Sequence, residues 1–308
     1  MSVVLRPTVT PPLAAAPMLA ALRSHTVAGL ERHDADTGTH VRSVRGRYGP
    51  TVVAIRPGSE HVSVRIDADR RDLPEVEQTV RRWLDLDADP AVIDAALGAD
   101  PYLAPMVAAR PGLRVLGTTD WFDTAVQTVL GQQVSVAAAA TFAGRLVARY
   151  GDPGRDGLLC FPLPTGLVGA DPHELQAAVG LTGARVRTVL ALARAAADGL
   201  DPSDPVRFRR DLLGLPGIGP WTVDYLAVRV LGDRDACPVG DLVLRRALGV
   251  DTAREVTVRT RRWSPWRAYA SCHLWTHAAY DSSAPEQSRT ETCMGKRTSV
   301  APNSNRVA

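Results

Sequence analysis

The stretch Leu215–Thr222 reads LPGIGPWT and lies between two segments with helical patterns, 206–213 and 221–231. Two helices joined by a turn of the form hydrophobic-x-Gly-hydrophobic-Gly make a helix-hairpin-helix. Gly217 and Gly219 let the backbone come within hydrogen-bond distance of a phosphate, because a Cβ would block the approach. The amides that begin the second helix are unpaired donors that bind phosphate oxygens without reading base sequence. The stretch therefore predicts a phosphate-binding hairpin; the alternative is an ordinary corner between two helices.

Asp241 follows the hairpin within the sequence PVGDLVLRR, residues 238–246, and a helical pattern begins directly after it. This position predicts a helix N-cap, which is the default interpretation of a single such residue. The functional alternative is a carboxylate directed into a cleft, where it stabilises a cationic sugar or activates water. Asp224, three residues after Trp221, is the rival acidic candidate, and we interpret it as solvent-facing or structural.

The patterns outside these motifs predict an α+β fold that is mostly α-helical. Short β-rich runs separated by Gly and Pro indicate an antiparallel meander, and they fall at 41–44, 51–55 and 61–66. We therefore predict a small N-terminal antiparallel-sheet domain (1–104), a helical domain that contains the hairpin (105–280), and a disordered tail rich in Ser, Thr, Pro and Asn (281–308).

Composition excludes several classes of protein. The 308 residues are 45% hydrophobic and 22% charged, which is typical of a globular protein, and no apolar run reaches the ~18 residues of a membrane helix. The four cysteines form no CxxC pattern, which argues against a zinc ribbon and against an iron–sulfur cluster held by four cysteines. Residues 105–280 carry 20 basic and 16 acidic side chains, so this segment is the one that we expect to contact a polyanion.

The hairpin together with Asp241 resembles the helix-hairpin-helix DNA glycosylase superfamily. Further segments make the chain similar to the DNA-3-methyladenine glycosylase II family of alkylation-repair enzymes, and the similarity is collinear from about residue 10 to 280. These segments are ARPGLR (109–114), LGQQVSVA (130–137) and RWSPWRAYA (262–270).

The resemblance implies a monofunctional glycosylase that flips an alkylated purine, such as 3-methyladenine, out of duplex DNA and hydrolyses its N-glycosidic bond. Asp241 matches the catalytic aspartate, which would stabilise an oxocarbenium-like sugar and help water to attack. Trp221, Tyr225 and Trp275 match the aromatic base pocket. A ring stacked on a positively charged base gains roughly 1–2 kcal/mol of cation–π energy.

The resemblance also implies how the DNA is held. Gln133 matches the residue that fills the hole left by the flipped nucleotide, a position where the best-known family pattern has an apolar side chain. A structural sodium or potassium ion would lie on backbone carbonyls of the hairpin, and no catalytic metal is expected. We expect a monomer, cytoplasmic and associated with the nucleoid, whose partner is double-stranded DNA with alkylated bases. The residues expected to contact DNA at the hairpin are Leu215, Gly217, Ile218, Gly219 and Thr222.

Two alternatives concern the chemistry. A non-catalytic DNA-binding protein would use the hairpin alone and would not need Asp241 beside an aromatic pocket. A bifunctional glycosylase with lyase activity would carry a lysine where this chain has Trp221, and the single lysine here is Lys296, in the predicted tail. Arginine cannot replace that lysine, because its guanidinium stays protonated.

Overall fold

The computed structural model describes residues 1–281. The tail predicted for 281–308 lies outside the described residues, apart from Asp281, which ends the last helix. No helix in the described part of the chain is long and apolar enough to span a membrane. The predicted fold class is confirmed: a small antiparallel sheet near the N-terminus is followed by helices.

The N-terminal part is a five-stranded antiparallel sheet with strand order β1-β5-β4-β3-β2 and four helices. Its elements are β1 (Ser2–Leu5), α1 (Ala15–Ser24), β2 (Glu31–Asp34), β3 (Thr39–Gly46), β4 (Gly49–Pro57), β5 (Val62–Asp67), α2 (Leu73–Trp83), α3 (Pro90–Gly98) and α4 (Ala104–Ala109), with a 3-10 turn at Arg70–Asp72. The three β-rich runs in the sequence correspond to β3, β4 and β5. The edge strands β1 and β2 were not predicted, and the sequence of β2, ERHD, has no apolar alternation.

One face of this sheet packs on α1 and α2. Val53, Ile55, Val64 and Ile66 are at most 1% exposed and belong to the core shared with these two helices. Apolar side chains that alternate along neighbouring strands line one face of a sheet, which explains why the helices cover this side. The opposite face is covered in part by Leu158, which packs on the centre of the sheet.

The helical part follows a single connecting segment and contains the hairpin. Its elements are α5 (Trp121–Leu130), α6 (Val136–Tyr150), β6 (Asp152–Pro153), β7 (Leu159–Cys160), α7 (Pro164–Val168), α8 (Pro172–Val179), α9 (Gly183–Ala197), α10 (Pro205–Leu213), α11 (Pro220–Arg229), α12 (Leu242–Leu248), α13 (Ala253–Thr260) and α14 (Arg267–Asp281), with a 3-10 turn at Arg261–Trp263. Fully buried side chains from α5, α6, α9 and α10 form its main core, among them Val126, Leu146, Val189 and Phe208.

Local capping determines where α5 and α6 begin. Asp120 is the N-cap of α5 and accepts a hydrogen bond from the backbone N–H of Asp123 at 2.9 Å. Ser135 caps α6 in the same way, accepting from Ala138 N at 3.2 Å. Gly131 ends α5, so the two helices are separated by a short turn that carries the two adjacent glutamines of the GQQ sequence.

Two sets of buried polar contacts join the N-terminal and helical parts. Arg42 on β3 is 8% exposed and pairs with Glu31 on β2 and with Asp123 on α5. Burial raises the pKa of Asp123 to about 7 against the pull of Arg42. Burial would also raise the pKa of Glu31, but Arg42 and His40 hold it at about 2.

The chain's last helix also returns to the N-terminal part. The phenol of Tyr269 on α14, which is 1% exposed, donates to Asp85 Oδ2 at 2.7 Å. Around this bond, buried side chains of α3 and α4 pack with those of α12, α13 and α14 in one core. This packing positions α14, and therefore Trp275, against the helices that follow the hairpin.

Candidate active site

The hairpin forms where it was predicted, with α10 and α11 joined by the residues 214–219. Ile218 is 6% exposed and Leu215 is half-buried, so both apolar side chains of the turn pack against the protein. Thr222 is also buried, at 2% exposed. The exposed surface of the turn is therefore made mostly by Pro216 and Gly217, which leaves backbone groups accessible there.

Gly217 and Gly219 differ in their backbone conformation and in the space around them. Gly217 has φ +78°, a left-handed conformation, and a Cβ added there would lie 2.1 Å from Thr188 Oγ1. Gly219 is the N-cap of α11 with φ −107°, and an added Cβ would meet nothing within 4 Å. A side chain at Gly217 would therefore be strained by its backbone conformation and by the contact with Thr188. At Gly219 the protein's own atoms leave room for a side chain.

Asp241 is held by four hydrogen bonds that occupy both of its carboxylate oxygens. It caps α12: its Oδ1 accepts from Val243 N at 2.9 Å and from Leu244 N at 3.0 Å. The indole Nε1 of Trp275 donates to the same oxygen at 3.2 Å, and Trp221 Nε1 donates to Oδ2 at 3.0 Å. The carboxylate is half-buried, so it is fixed in direction but retains access to solvent. Asp241 is therefore both the N-cap of α12 and the carboxylate that the two indoles hold.

The three aromatic residues singled out in the sequence meet at this carboxylate. The rings of Trp221 and Tyr225 stack at 5.5 Å between centroids and 18° between planes. Tyr225 contacts Trp275 at 6.1 Å with the planes tilted by 58°. Trp221 and Tyr225 share one face of α11 because they are four residues apart, whereas Trp275 comes from α14, 50 positions further along.

A cavity of about 270 Å³ adjoins the stacked rings of Trp221 and Tyr225. It lies between α11 and elements of both parts of the chain, and its size approaches the ~300 Å³ at which small-molecule sites begin. The other lining residues include polar side chains that the sequence patterns do not single out: His25, which follows the end of α1, Thr124 and Gln127 on α5, and Arg229 on α11. Their contribution depends on which helices pack together.

Arg229 could have been found from spacing. It is four residues after Tyr225 and eight after Trp221, on the same face of α11. Its guanidinium donates to the Tyr225 hydroxyl at 3.0 Å, and its Cζ lies 5.7 Å from the centre of that ring. Arg229 also donates to the carbonyl of Gly117 at 3.3 Å. It therefore orients the tyrosine and links it to the segment that connects the two parts of the chain.

The rival acid and the other tryptophans lie elsewhere. Asp224 is half-buried; burial raises its pKa, and the positive charges that oppose this shift come from Arg209 and Arg267. Trp263 is 3% exposed and Trp266 packs on the same core, so both are core residues.

Gln133 lies at the corner between α5 and α6. It is exposed, and its backbone has φ +58°. Its neighbour Gln132, which was not selected from the sequence, donates from Nε2 to the Gly217 carbonyl and to Thr222 Oγ1, both at 3.1 Å. The corner therefore lies against the hairpin. Among the residues that the structure describes, no group of three or more His, Cys, Asp or Glu side chains is placed to hold a metal ion.

These features define a class of protein that combines a helix-hairpin-helix with a fixed aspartate and a set of aromatic rings. The family described as HhH-GPD superfamily base excision DNA repair protein matches residues 126–263, and the AlkA N-terminal domain family matches residues 4–120. The chain belongs to the HhH-GPD superfamily, and the family resemblance seen in the sequence is confirmed.

Particular relatives can also be named. The chain is 34% identical to DNA-3-methyladenine glycosylase 2 of Escherichia coli over 238 residues, which cover 75% of this chain and 82% of that protein. It is 46% identical over 252 residues to a probable bifunctional transcriptional activator/DNA repair enzyme AlkA of Mycobacterium tuberculosis. That match covers 78% of this chain but 50% of the relative, so the chain spans about half the relative's length. The structure of a 3-methyladenine DNA-glycosylase from Archaeoglobus fulgidus shares the fold, with a TM-score of 0.78, 19% identity and coverage of 90% of this chain and 99% of that one.

Proposed function

We propose that this chain is a monofunctional DNA glycosylase that releases alkylated purines, such as 3-methyladenine, from duplex DNA and leaves an abasic site. The observation that carries the proposal is the Asp241 carboxylate, held by four hydrogen bonds at the edge of three aromatic rings. A simple helix cap needs only the two backbone donors. The two indole donors orient the carboxylate beyond what capping requires.

The arrangement supports a dissociative hydrolysis. A flipped purine alkylated at N3 or N7 carries a positive charge, and the electron-rich rings of Trp221, Tyr225 and Trp275 favour such a base over a neutral one. Because the base is already a cationic leaving group, the bond to the sugar breaks with little help from an acid. The Asp241 carboxylate then faces the positive charge that develops at C1′, where a preorganised negative charge is worth about 3–4 kcal/mol. The same carboxylate can orient the attacking water.

We further propose that the enzyme lacks lyase activity. A lyase of this superfamily needs an amine that attacks C1′ and forms a Schiff base. In this chain the corresponding position is Trp221, and the one lysine, Lys296, is outside the described residues. Arg42 and Arg229 line the cavity beside the rings, and a guanidinium does not deprotonate at physiological pH.

The hairpin supplies the proposed contact with the DNA backbone. The amides of Gly217, Gly219 and the residues after Pro220 in the first turn of α11 would bind phosphates, whereas Ile218 N already donates to the Leu215 carbonyl. Gln133 would fill the space of the flipped nucleotide. The carbonyls of Leu215 and Gly217 each accept one hydrogen bond, from Ile218 N and Gln132 Nε2, and each keeps a second lone pair that a sodium or potassium ion can use. Such an ion, a monomeric state and a cytoplasmic, nucleoid-associated location belong to the proposal. Replacing potassium and sodium by tetramethylammonium at constant ionic strength should weaken binding to DNA.

The decisive experiment is base release. The full chain is incubated with duplex DNA that has been methylated with dimethyl sulfate, and the free bases are separated by chromatography. We expect 3-methyladenine to be released by the wild-type protein, with an intact abasic site in the DNA. A protein that binds this DNA without releasing any base would instead be a non-catalytic DNA-binding protein, and the proposal would be wrong.

A further inference from the structure

The turn between α5 and α6 directs two adjacent glutamines to different places. Gln133 is exposed and has a left-handed backbone, φ +58°, whereas Gln132 is half-buried and contacts the hairpin. Residues with a side chain rarely adopt this conformation, and they do so where the surrounding structure holds them. The backbone of this turn therefore presents Gln133 to solvent while Gln132 remains bound to the protein.

The side chain of Gln132 bridges two parts of the hairpin. Its Nε2 lies 3.1 Å from the carbonyl oxygen of Gly217, in the turn, and 3.1 Å from Thr222 Oγ1, in the first turn of α11. A carboxamide nitrogen carries two hydrogens, so it can donate both bonds at once. The carbonyl and the hydroxyl are 85 and 90 positions away in sequence, and one side chain holds both.

The backbone of the same residue is anchored to α9. The guanidinium of Arg185 donates to the carbonyl oxygen of Gln132. Thr188, one turn further along α9, packs against Gly217 closely enough that a Cβ there would lie 2.1 Å from its Oγ1. The α5–α6 turn, the hairpin and α9 are thus braced together, so a displacement of the hairpin also displaces the turn that carries Gln133.

We propose that Gln132 is a positioning residue that couples the hairpin's hold on the DNA backbone to the insertion of Gln133 into the duplex. The inference rests on the proposed function. When phosphates are bound to the hairpin amides, the carboxamide of Gln132 fixes the position of Gln133 relative to the flipped nucleotide. Without this carboxamide the hairpin still binds phosphates, but the turn with Gln133 is tied to it only indirectly, through Arg185.

The test is a double-mutant cycle on base release. The proteins are wild type, Gln132→Ala, Gln133→Ala and the double variant, with Gln132→Met to keep the length while removing both donors and adding no charge. Gln176→Ala, an exposed glutamine on α8, is the matched control. Single-turnover release from methylated duplex is measured at saturating enzyme, and affinity is measured separately on undamaged duplex.

We expect Gln132→Ala and Gln132→Met to keep affinity for undamaged duplex within about threefold and to slow base release by about tenfold. Gln133→Ala should slow release to a similar degree, and the double variant should be no slower than either single variant, because the two residues act on one step. Gln176→Ala should match wild type.

Losses that multiply in the double variant would show that the two glutamines act independently, and the coupling would be refuted. Parallel losses of thermal stability, affinity for undamaged duplex and release would show that Gln132 only maintains the fold. If the wild-type protein releases no base, the proposed function fails, and the coupling is tested by binding alone. A 2-aminopurine placed beside an abasic analogue then reports insertion of Gln133, and Gln132→Ala must lower that signal as far as Gln133→Ala does.

Discussion

Replacement of Asp241 by asparagine separates the structural role of this residue from its proposed chemical role. The carboxylate receives three donors on Oδ1 and one, the indole of Trp221, on Oδ2. An asparagine keeps one acceptor oxygen, which we expect to face the three donors. Its amide nitrogen then points at Trp221 Nε1, and two donors face each other at about the 3.0 Å of the present hydrogen bond.

The structure allows both effects of this change to be estimated. Losing the Trp221 bond and leaving the indole N–H against another donor should lower the free energy of unfolding by about 1–3 kcal/mol. Losing the negative charge that faces the sugar cation should raise the activation barrier by about 3–4 kcal/mol, a fall of roughly 10²–10³-fold or more in base release. The second effect should not depend on the first.

A second substitution tells the two effects apart. Trp221→Phe keeps an aromatic ring and removes the N–H donor, so Asp241→Asn should destabilise the protein less in this background than in wild type. Base release by the double variant should stay as low as that of Asp241→Asn. The assays are urea unfolding followed by tryptophan fluorescence and single-turnover release from methylated duplex. If Asp241→Asn releases base within about tenfold of wild type, Asp241 is only a helix cap and the proposed chemistry is wrong.

Three further outcomes can be checked. Gly219→Ala should weaken binding to all duplex sequences by about tenfold with an unchanged melting temperature. Gly217→Ala should instead lower the melting temperature, because residue 217 has φ +78° and an added Cβ would meet Thr188. If Gly219→Ala binds DNA as tightly as wild type does, this result would count against phosphate contact at Gly219. Borohydride added during the reaction should trap no protein–DNA adduct, and a strong adduct that survives Lys296→Ala would show that another amine is the nucleophile. Burial, together with the positive charge of Arg110, lowers the pKa of the fully buried His273 from 6.5 to about 4. The contribution of neutral His273 to the free energy of unfolding is therefore complete above pH 6.5 and falls by about 3 kcal/mol towards pH 4. His273→Leu should lose less unfolding free energy than wild type between pH 7 and pH 4, and identical pH profiles from urea unfolding would contradict this assignment.

Short-range features of the site could be read from the sequence because they depend on a few neighbouring residues. Asp241 was predicted as an N-cap and is an N-cap, since an aspartate before an apolar periodic segment can bond only the next few amides. The hairpin turn was predicted from its glycines for the same reason. The stack of Trp221 on Tyr225 follows from their four-residue spacing on one helix.

Contacts between distant segments were beyond sequence patterns. Gln132 reaches the hairpin across 85 positions, and the cavity beside the rings receives residues from α1, α5 and α11. The edge strands β1 and β2 became strands because neighbours in the sheet supply their hydrogen bonds, although the sequence of β2 has no apolar alternation. Such features depend on how whole elements pack, and the periodicity of one helix or strand does not indicate which other elements it packs against.

The two hairpin glycines show this division most clearly. In the sequence, Gly217 and Gly219 both predict a backbone that a phosphate can approach. The packing of α9 against the turn separates them: Thr188 occupies the space that a Cβ at Gly217 would need, while the space beside Gly219 is open. The motif by itself determined that a hairpin forms. Which of the two glycines has no room for a side chain was decided by a helix that begins 34 positions before Gly217, because steric contact is a property of three-dimensional packing.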